Sequence, residues 1–148
     1  MGSRSGRKLE PETPQRHPVA LIGSAQEWSS RVLGSLLQAR GYAVLLAHTG
    51  AATRDQARTE RPDLILLDTT LTDMDDLELC RALRDDPLVA PRTPIITLSA
   101  EPPTEDQRLA ALRAGASDVL SPPLHLEEVH RKLDACVGAR RVADEAPE

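Results

Sequence analysis

The chain has 148 residues, a formal net charge of −5 and a pI near 5.4, and its hydrophobic share of 40% rises to about 45% with the eight glycines, a usual globular level. One folded domain is therefore expected; the acidic balance argues against nucleic acid as the main partner, and no apolar run approaches the roughly 20 residues of a membrane span. With no Phe, one Trp and one Tyr, the core must be built from Leu, Val, Ile and Ala.

Met1–His17 is polar, charged and proline-bearing, with no apolar periodicity and no signal-peptide core, so residues 1–17 read as a disordered arm and the cytoplasm as the compartment. Residues 139–148 read as a disordered tail, leaving 18–138 as the folded domain. Cys80 and Cys136 fall at apolar, helix-compatible positions without the close spacing of a zinc or redox motif, which predicts buried thiols.

Val19–Gly23 predicts a strand that is apolar on both faces, running into Ser24-Ala25-Gln26-Glu27, an S-x-x-E capping box. The helix that follows carries Trp28, Val32, Leu33, Leu36 and Leu37 on one stripe and stops at Gly41. Ala43–Ala47 predicts the second strand, and Thr49-Gly50 leads a weaker helix ending near Arg61-Pro62. Asp63–Asp68 is the most hydrophobic strand; Leu77, Cys80, Leu83 and Leu88 then recur at near-helical spacing until Pro87 sets the end. Thr93–Ser99 predicts the fourth strand, Thr104–Ala114 a helix with Leu109 and Leu112, closed by Gly115, and Ser117–Leu120 the fifth strand. After Pro122-Pro123, a final helix is marked by Leu126, Val129, Leu133 and Cys136. Five doubly apolar strands alternating with five helices make an α/β fold, a parallel sheet wound on both faces.

Ligands of such sheets bind at the carboxyl ends of the strands, here Gly23-Ser24, Ala47-His48, Asp68, Ser99 and Ser121. Ser24 is explained by helix capping, worth about 1 kcal/mol. His48, His125 and His130 share no metal-ligand spacing, and Asp73, Asp75 and Asp76 lack the glutamate that an EF-hand loop would place after them, so they read as a solvated acidic turn.

PDLILLDTTLTDMDDLELCRALRDD, from Pro62 to Asp86, resembles the central segment of bacterial response-regulator receiver domains. The likeness continues through TPIITLSA, LRAGASDVL and the last helix, over about 120 residues from Pro18 to Gly138. It implies a flavodoxin-like five-stranded sheet of order 2-1-3-4-5 and places Asp68 at the position that accepts a phosphoryl group from a histidine kinase. Ser99 matches the small hydroxyl residue ending the fourth strand.

Other positions depart from the family pattern. The acidic pair that holds magnesium corresponds to Gly23 and Ser24, the lysine before the fifth-strand proline to Pro122, and the rotating aromatic ring to Val119. Thr72 stands where a proline is usual, and Asp76 replaces a glycine, which predicts a strained left-handed turn there. A hydrogen bond to a charged group is worth roughly 1.5–3 kcal/mol, so losing metal and lysine removes on the order of 3–6 kcal/mol from the phosphorylated pocket or its transition state, about a hundred- to ten-thousandfold.

The resemblance with these losses implies a pseudo-receiver, an interaction module of a two-component or phosphorelay system with little phosphorylation, and not an enzyme. No cofactor is expected beyond weak magnesium on Asp68, the carbonyl of Thr70 and Glu27. With ten residues after Gly138, output is expected through docking of a histidine kinase, a downstream target or a second copy. In the family the docking face joins the fourth helix, fifth strand and fifth helix, here Thr104–Ala114, Ser117–Leu120 and Leu126–Val137. The alternatives are a working phospho-acceptor at Asp68 and a small-molecule sensor using the strand-end pocket. The resemblance also implies a cis peptide bond at Pro122–Pro123, and the sequence places Trp28 close to the pocket.

Overall fold

The computed structural model describes residues 17–145. Along the chain run β1 (Val19–Gly23), α1 (Glu27–Ala39), β2 (Ala43–Ala47), α2 (Gly50–Glu60), β3 (Leu64–Asp68), α3 (Asp76–Asp85), β4 (Ile95–Leu98), α4 (Glu105–Ala114), β5 (Asp118–Leu120) and α5 (Leu126–Glu145). The strands form one parallel sheet in the order β2-β1-β3-β4-β5, as the resemblance implied.

Strand periodicity divides the core into two layers. Leu21, Ile65, Leu67 and Ile95 face α2, α3 and α4, packing on Ala57, Leu79, Leu83 and Ala111. Ala20, Ile22, Leu64, Leu66 and Ile96 face the other way, onto Leu33 and Leu37 of α1 and Val129 and Leu133 of α5. Neither layer contains a phenylalanine; Tyr42 is packed at the margin of the second, and Trp28 is 70% exposed. Aliphatic side chains do fill the core.

Several expected apolar positions lie elsewhere. β2 is an edge strand with Leu46 exposed, because only β1 pairs with it. Trp28 and Val32 are outside the buried face of α1, which is formed by Ser30, Leu33, Gly34 and Leu37. On α4 the buried residues are Ala111 and Ala114, while Leu112 is exposed; the small side chains let α4 sit close to the sheet. Leu88 lies beyond the end of α3 and is exposed. Cys80 is buried, but Cys136 is only half-buried.

The ends of the elements follow their sequence signals. Arg61 closes α2 with φ 49°, and Gly115 closes α4 with φ 113°. A Cβ at Gly115 would lie 2.5 Å from Arg84 Cγ. The Arg84 guanidinium donates to the carbonyl oxygens of Gly115, Pro91 and Thr93 at 2.9, 3.0 and 2.7 Å, tying α3 to the turns before β4 and β5. α5 runs past Gly138 to Glu145, so residues 139–145 are helical where a disordered tail was expected. Residues 1–16 of the expected arm, and the tail's last three, lie outside the described residues. No helix among the described residues is long and apolar enough to cross a membrane.

Candidate functional site

Strand register brings the candidate residues to one edge of the sheet. Gly23 ends β1 opposite Ala47 and Leu67, Asp68 ends β3 opposite Leu98, and Leu98 stands opposite Leu120 at the end of β5. The chain continues from β1 to β2 on one side, whereas β3 lies on the other. This reversal opens a crevice beside Asp68, where open α/β sheets bind ligands.

Asp68 is 6% exposed and Ser24 fully buried. The Ser24 hydroxyl donates to Asp68 Oδ2 at 2.9 Å, and the Thr70 backbone N–H donates to Oδ1 at 3.1 Å. Ser24 Oγ also accepts from the Gln26 backbone N–H at 3.0 Å, and the Ala25 N–H reaches Thr70 Oγ1 at 3.2 Å, so the loops after β1 and β3 are pinned together. The expected capping box does not form. Gln26 is the N-cap of α1, with an extended backbone and no side-chain cap, because Ser24 is turned inward and bonds the amide two residues on.

Glu27 points away from this crevice and pairs with Arg31 one turn later at 3.2 Å, with both side chains largely exposed. A Cβ at Gly23 would lie 2.5 Å from Thr53 Oγ1, so the chain has no room there for a longer side chain. Magnesium favours octahedral oxygen ligation through carboxylates and water. Among the described residues Asp68 is the one carboxylate lining the crevice, with Asp76 near enough for the two charges to repel; Ser24 offers Asp68 a proton, and Glu27 is engaged outside. Among the described residues no three His, Cys, Asp or Glu side chains gather into a metal-holding group. The residues present do not fit the ion.

Above Asp68 opens a cleft of about 650 Å³ between α1 and the β5–α5 loop, with Leu33, Leu98, Leu120 and Leu124 among its walls and Trp28 at its rim. Ser99 and Pro122 line it as well, and the Pro122–Pro123 bond is cis. Ser99 also borders a second hollow of about 340 Å³ lined by Asp76, Thr97 and Val119. Val119 is 4% exposed and fills the position expected for a mobile ring. The lysine of α5 is engaged elsewhere: Lys132 Nζ donates to the Val119 carbonyl at 2.8 Å and lies 3.7 Å from Asp118 and 3.5 Å from Glu128.

The acidic turn between β3 and α3 is organised by helix capping. Asp73 accepts from the Gly50 and Ala51 N–H groups of α2 at 2.7 and 3.0 Å, and these bonds, Gly50 first, hold its carboxyl below the usual value. Asp75 caps α3 through the Leu77 and Glu78 amides at 3.0 and 3.3 Å. Asp76 is the first residue of α3 and does not adopt the expected left-handed turn; among the described residues Arg61 is the sole non-glycine with positive φ. Capping by Asp75 draws Asp76 into the helix. Burial, followed by repulsion from Asp75, raises the Asp76 pKa. The D-x-x-E spacing from Asp75 to Glu78 was a readable signal for this cap, whereas Asp73 capping α2 had no local signal.

Residues 26–134 match the family model of the response regulator receiver domain. The chain is similar to the response regulator MprA of Mycobacterium avium (strain 104), with 36% identity over 110 residues, covering 74% of this chain and 46% of that protein. The MprA of Mycobacterium tuberculosis (strain ATCC 25618 / H37Rv) matches to the same extent. The chain thus spans about half the length of these relatives. Among solved structures, it is similar to the receiver domain of the sensor histidine kinase PA1611 from Pseudomonas aeruginosa PAO1, which has a magnesium ion coordinated in its active site cleft. That likeness has a TM-score of 0.73 at 29% identity, over 83% of this chain and 99% of the other. A two-component response regulator from Clostridium difficile gives a TM-score of 0.73 at 26% identity, over 82% and 96% of the two chains.

Proposed function

We propose that this chain, which belongs to the response regulator receiver domain family of two-component signalling, is an atypical member that acts by docking with little or no phosphorylation at Asp68. The single observation that carries this reading is the buried hydrogen bond from Ser24 to Asp68. In the family an acidic pair after the first strand recruits magnesium. Here one of those positions is a hydroxyl spent on the acceptor itself, and the other is a glycine backed by Thr53.

Phosphoryl transfer depends on positioning and charge neutralisation more than on covalent help. At the acceptor the described residues supply two neutral donors, Ser24 and Thr70, and no cation; Pro122 stands at the position that the resemblance gives to a lysine. An incoming phosphoryl group would meet the Asp68 carboxylate with its charge uncompensated.

The docking surface proposed is the face of α4, β5 and α5, for a histidine kinase, a downstream target or a second copy. A charged network ties these three elements together: Asp118 of β5 receives Arg108 from α4 at 3.5 Å and Lys132 from α5 at 3.7 Å, and Lys132 also holds the Val119 carbonyl. With Val119 in place of a ring, this supports a face kept in one state or set by its partner. Such a module is a signalling element rather than an enzyme, working in the cytoplasm.

Incubation with a small phosphodonor and magnesium, followed by intact-mass measurement, tests the reading. The expected result is unmodified protein. A stable aspartyl phosphate that disappears in Asp68→Asn would establish a working phospho-acceptor instead.

A further inference from the structure

We propose that the cleft between α1 and the β5–α5 loop binds a small organic amine, with its ammonium group on Asp68 and its apolar body against the apolar walls. Three observations converge on this chemistry. Asp68 is a carboxylate, 6% exposed, and the part that remains open faces the cleft. Its hydrogen bonds come from Ser24 and the Thr70 amide, which fill two of roughly four acceptor positions of a carboxylate. Among the described residues it has no lysine or arginine partner: Lys132 is held by Val119, Asp118 and Glu128, and Arg31 by Glu27.

A buried carboxylate without a cation is costly, and a ligand that brings the cation relieves that cost on binding. The cleft volume of about 650 Å³ lies within the range of small-molecule sites, roughly 300–1,000 Å³. Val32, Leu124, Pro122 and Pro123 offer it accessible apolar surface over a floor of the buried Leu33, Leu98 and Leu120, and Trp28, 70% exposed at the rim, offers a ring face to an apolar or cationic group. A phosphate or carboxylate ligand would be repelled by Asp68, and the ligand set does not fit magnesium. An amine with an apolar body satisfies both the base and the walls.

The inference rests on the proposal that neither magnesium nor a lysine neutralises Asp68. Trp28 is the chain's one tryptophan, so its fluorescence reports directly on the rim. Phenethylamine and its neutral counterpart 2-phenylethanol are titrated against the full chain at neutral pH. Phenethylamine is expected to saturate, with the alcohol weaker by about tenfold or more, the loss of one charge-assisted contact. Asp68→Asn is expected to bring the two within about twofold of each other. Equal binding of amine and alcohol by the unsubstituted protein, or no saturation by either, would overturn the inference without any variant. Retention of the difference in a folded Asp68→Asn would overturn it too. The phosphodonor measurement is read separately: an unmodified Asp68 together with no amine binding removes this inference and leaves the docking proposal standing.

Discussion

Ser24 and Asp68, 44 positions apart, share a buried hydrogen bond of 2.9 Å that joins the ends of β1 and β3. The bond compensates part of the cost of holding a carboxylate at 6% exposure. It also places a proton donor directly on the carboxylate that the proposed function treats as a vestigial acceptor.

Ser24→Ala removes that donor and leaves the carboxylate with the Thr70 amide as its protein partner. The expected loss of stability is about 1–3 kcal/mol. Urea denaturation of Ser24→Ala, Asp68→Asn and the double variant measures the coupling as a cycle. Additive single effects would show that the bond contributes nothing to the fold.

Gly23→Asp tests the argument that the acidic pair cannot be restored by simple substitution. A Cβ at this position lies 2.5 Å from Thr53 Oγ1 and 2.9 Å from its Cγ2. Thr53 is fully buried in α2 and donates to the Thr49 carbonyl, so it has little freedom to retreat. Overpacking of this kind costs about 1–3 kcal/mol. Thr53→Ala removes the two nearest atoms and is expected to recover part of the loss in the double variant. Denaturation midpoints give the stabilities, and a magnesium titration shows whether the double variant gains affinity that Gly23→Asp alone lacks.

The alternation of apolar strands with helices, and the run from Asp63 to Asp68, made the parallel sheet, with Asp68 at the end of its most hydrophobic strand, readable from the sequence. Local signals also placed the starts of α2 and α4 near Thr49 and Thr104, which the structure shows as their N-caps. The role of Ser24 was not readable, because S-x-x-E describes a helix start equally well, and only the register of β1 against β3 shows that the hydroxyl meets Asp68. A pocket at the strand ends with Trp28 near it was anticipated, but the open wall that α1 gives it was not. Trp28 and Val32 share the helical spacing of core residues, yet the sheet edge falls short of them and leaves both exposed.

The acidic turn gives a pH prediction with two signs. Asp73 has its carboxyl lowered from 3.8 by the Gly50 and Ala51 amides, so its ionised form stabilises the folded state. That contribution is complete above 3.8 and is lost as the pH falls through the lower folded value. Asp76 has its carboxyl raised from 3.8 by burial and then by Asp75, so ionisation opposes folding once the pH exceeds 3.8. At neutral pH, Asp73→Asn is therefore expected to lower the melting temperature and Asp76→Asn to raise it. Once the pH has fallen below the lowered folded value of Asp73, both carboxyls are protonated and the variants converge on the parent. Thermal melts across this range check the crossing; parallel curves would contradict the assigned charge effects.

Lys132 links the fold to the proposed docking face. Its ammonium donates to the Val119 carbonyl at 2.8 Å and sits 3.7 and 3.5 Å from Asp118 and Glu128, while its stem remains mostly covered. Lys132→Met keeps an unbranched stem but removes the charge and the donor, at an expected cost of about 1–3 kcal/mol. The effect should be local, because β5 is an edge strand paired only with β4. Amide hydrogen exchange is expected to accelerate in β5 and the first turns of α5, with β1 and β3 unchanged. If the network holds the face in one state, the variant also loses affinity for a partner that reads that state. Uniform acceleration across the sheet would instead mark Lys132 as a general contributor to stability, with no particular part in the docking face.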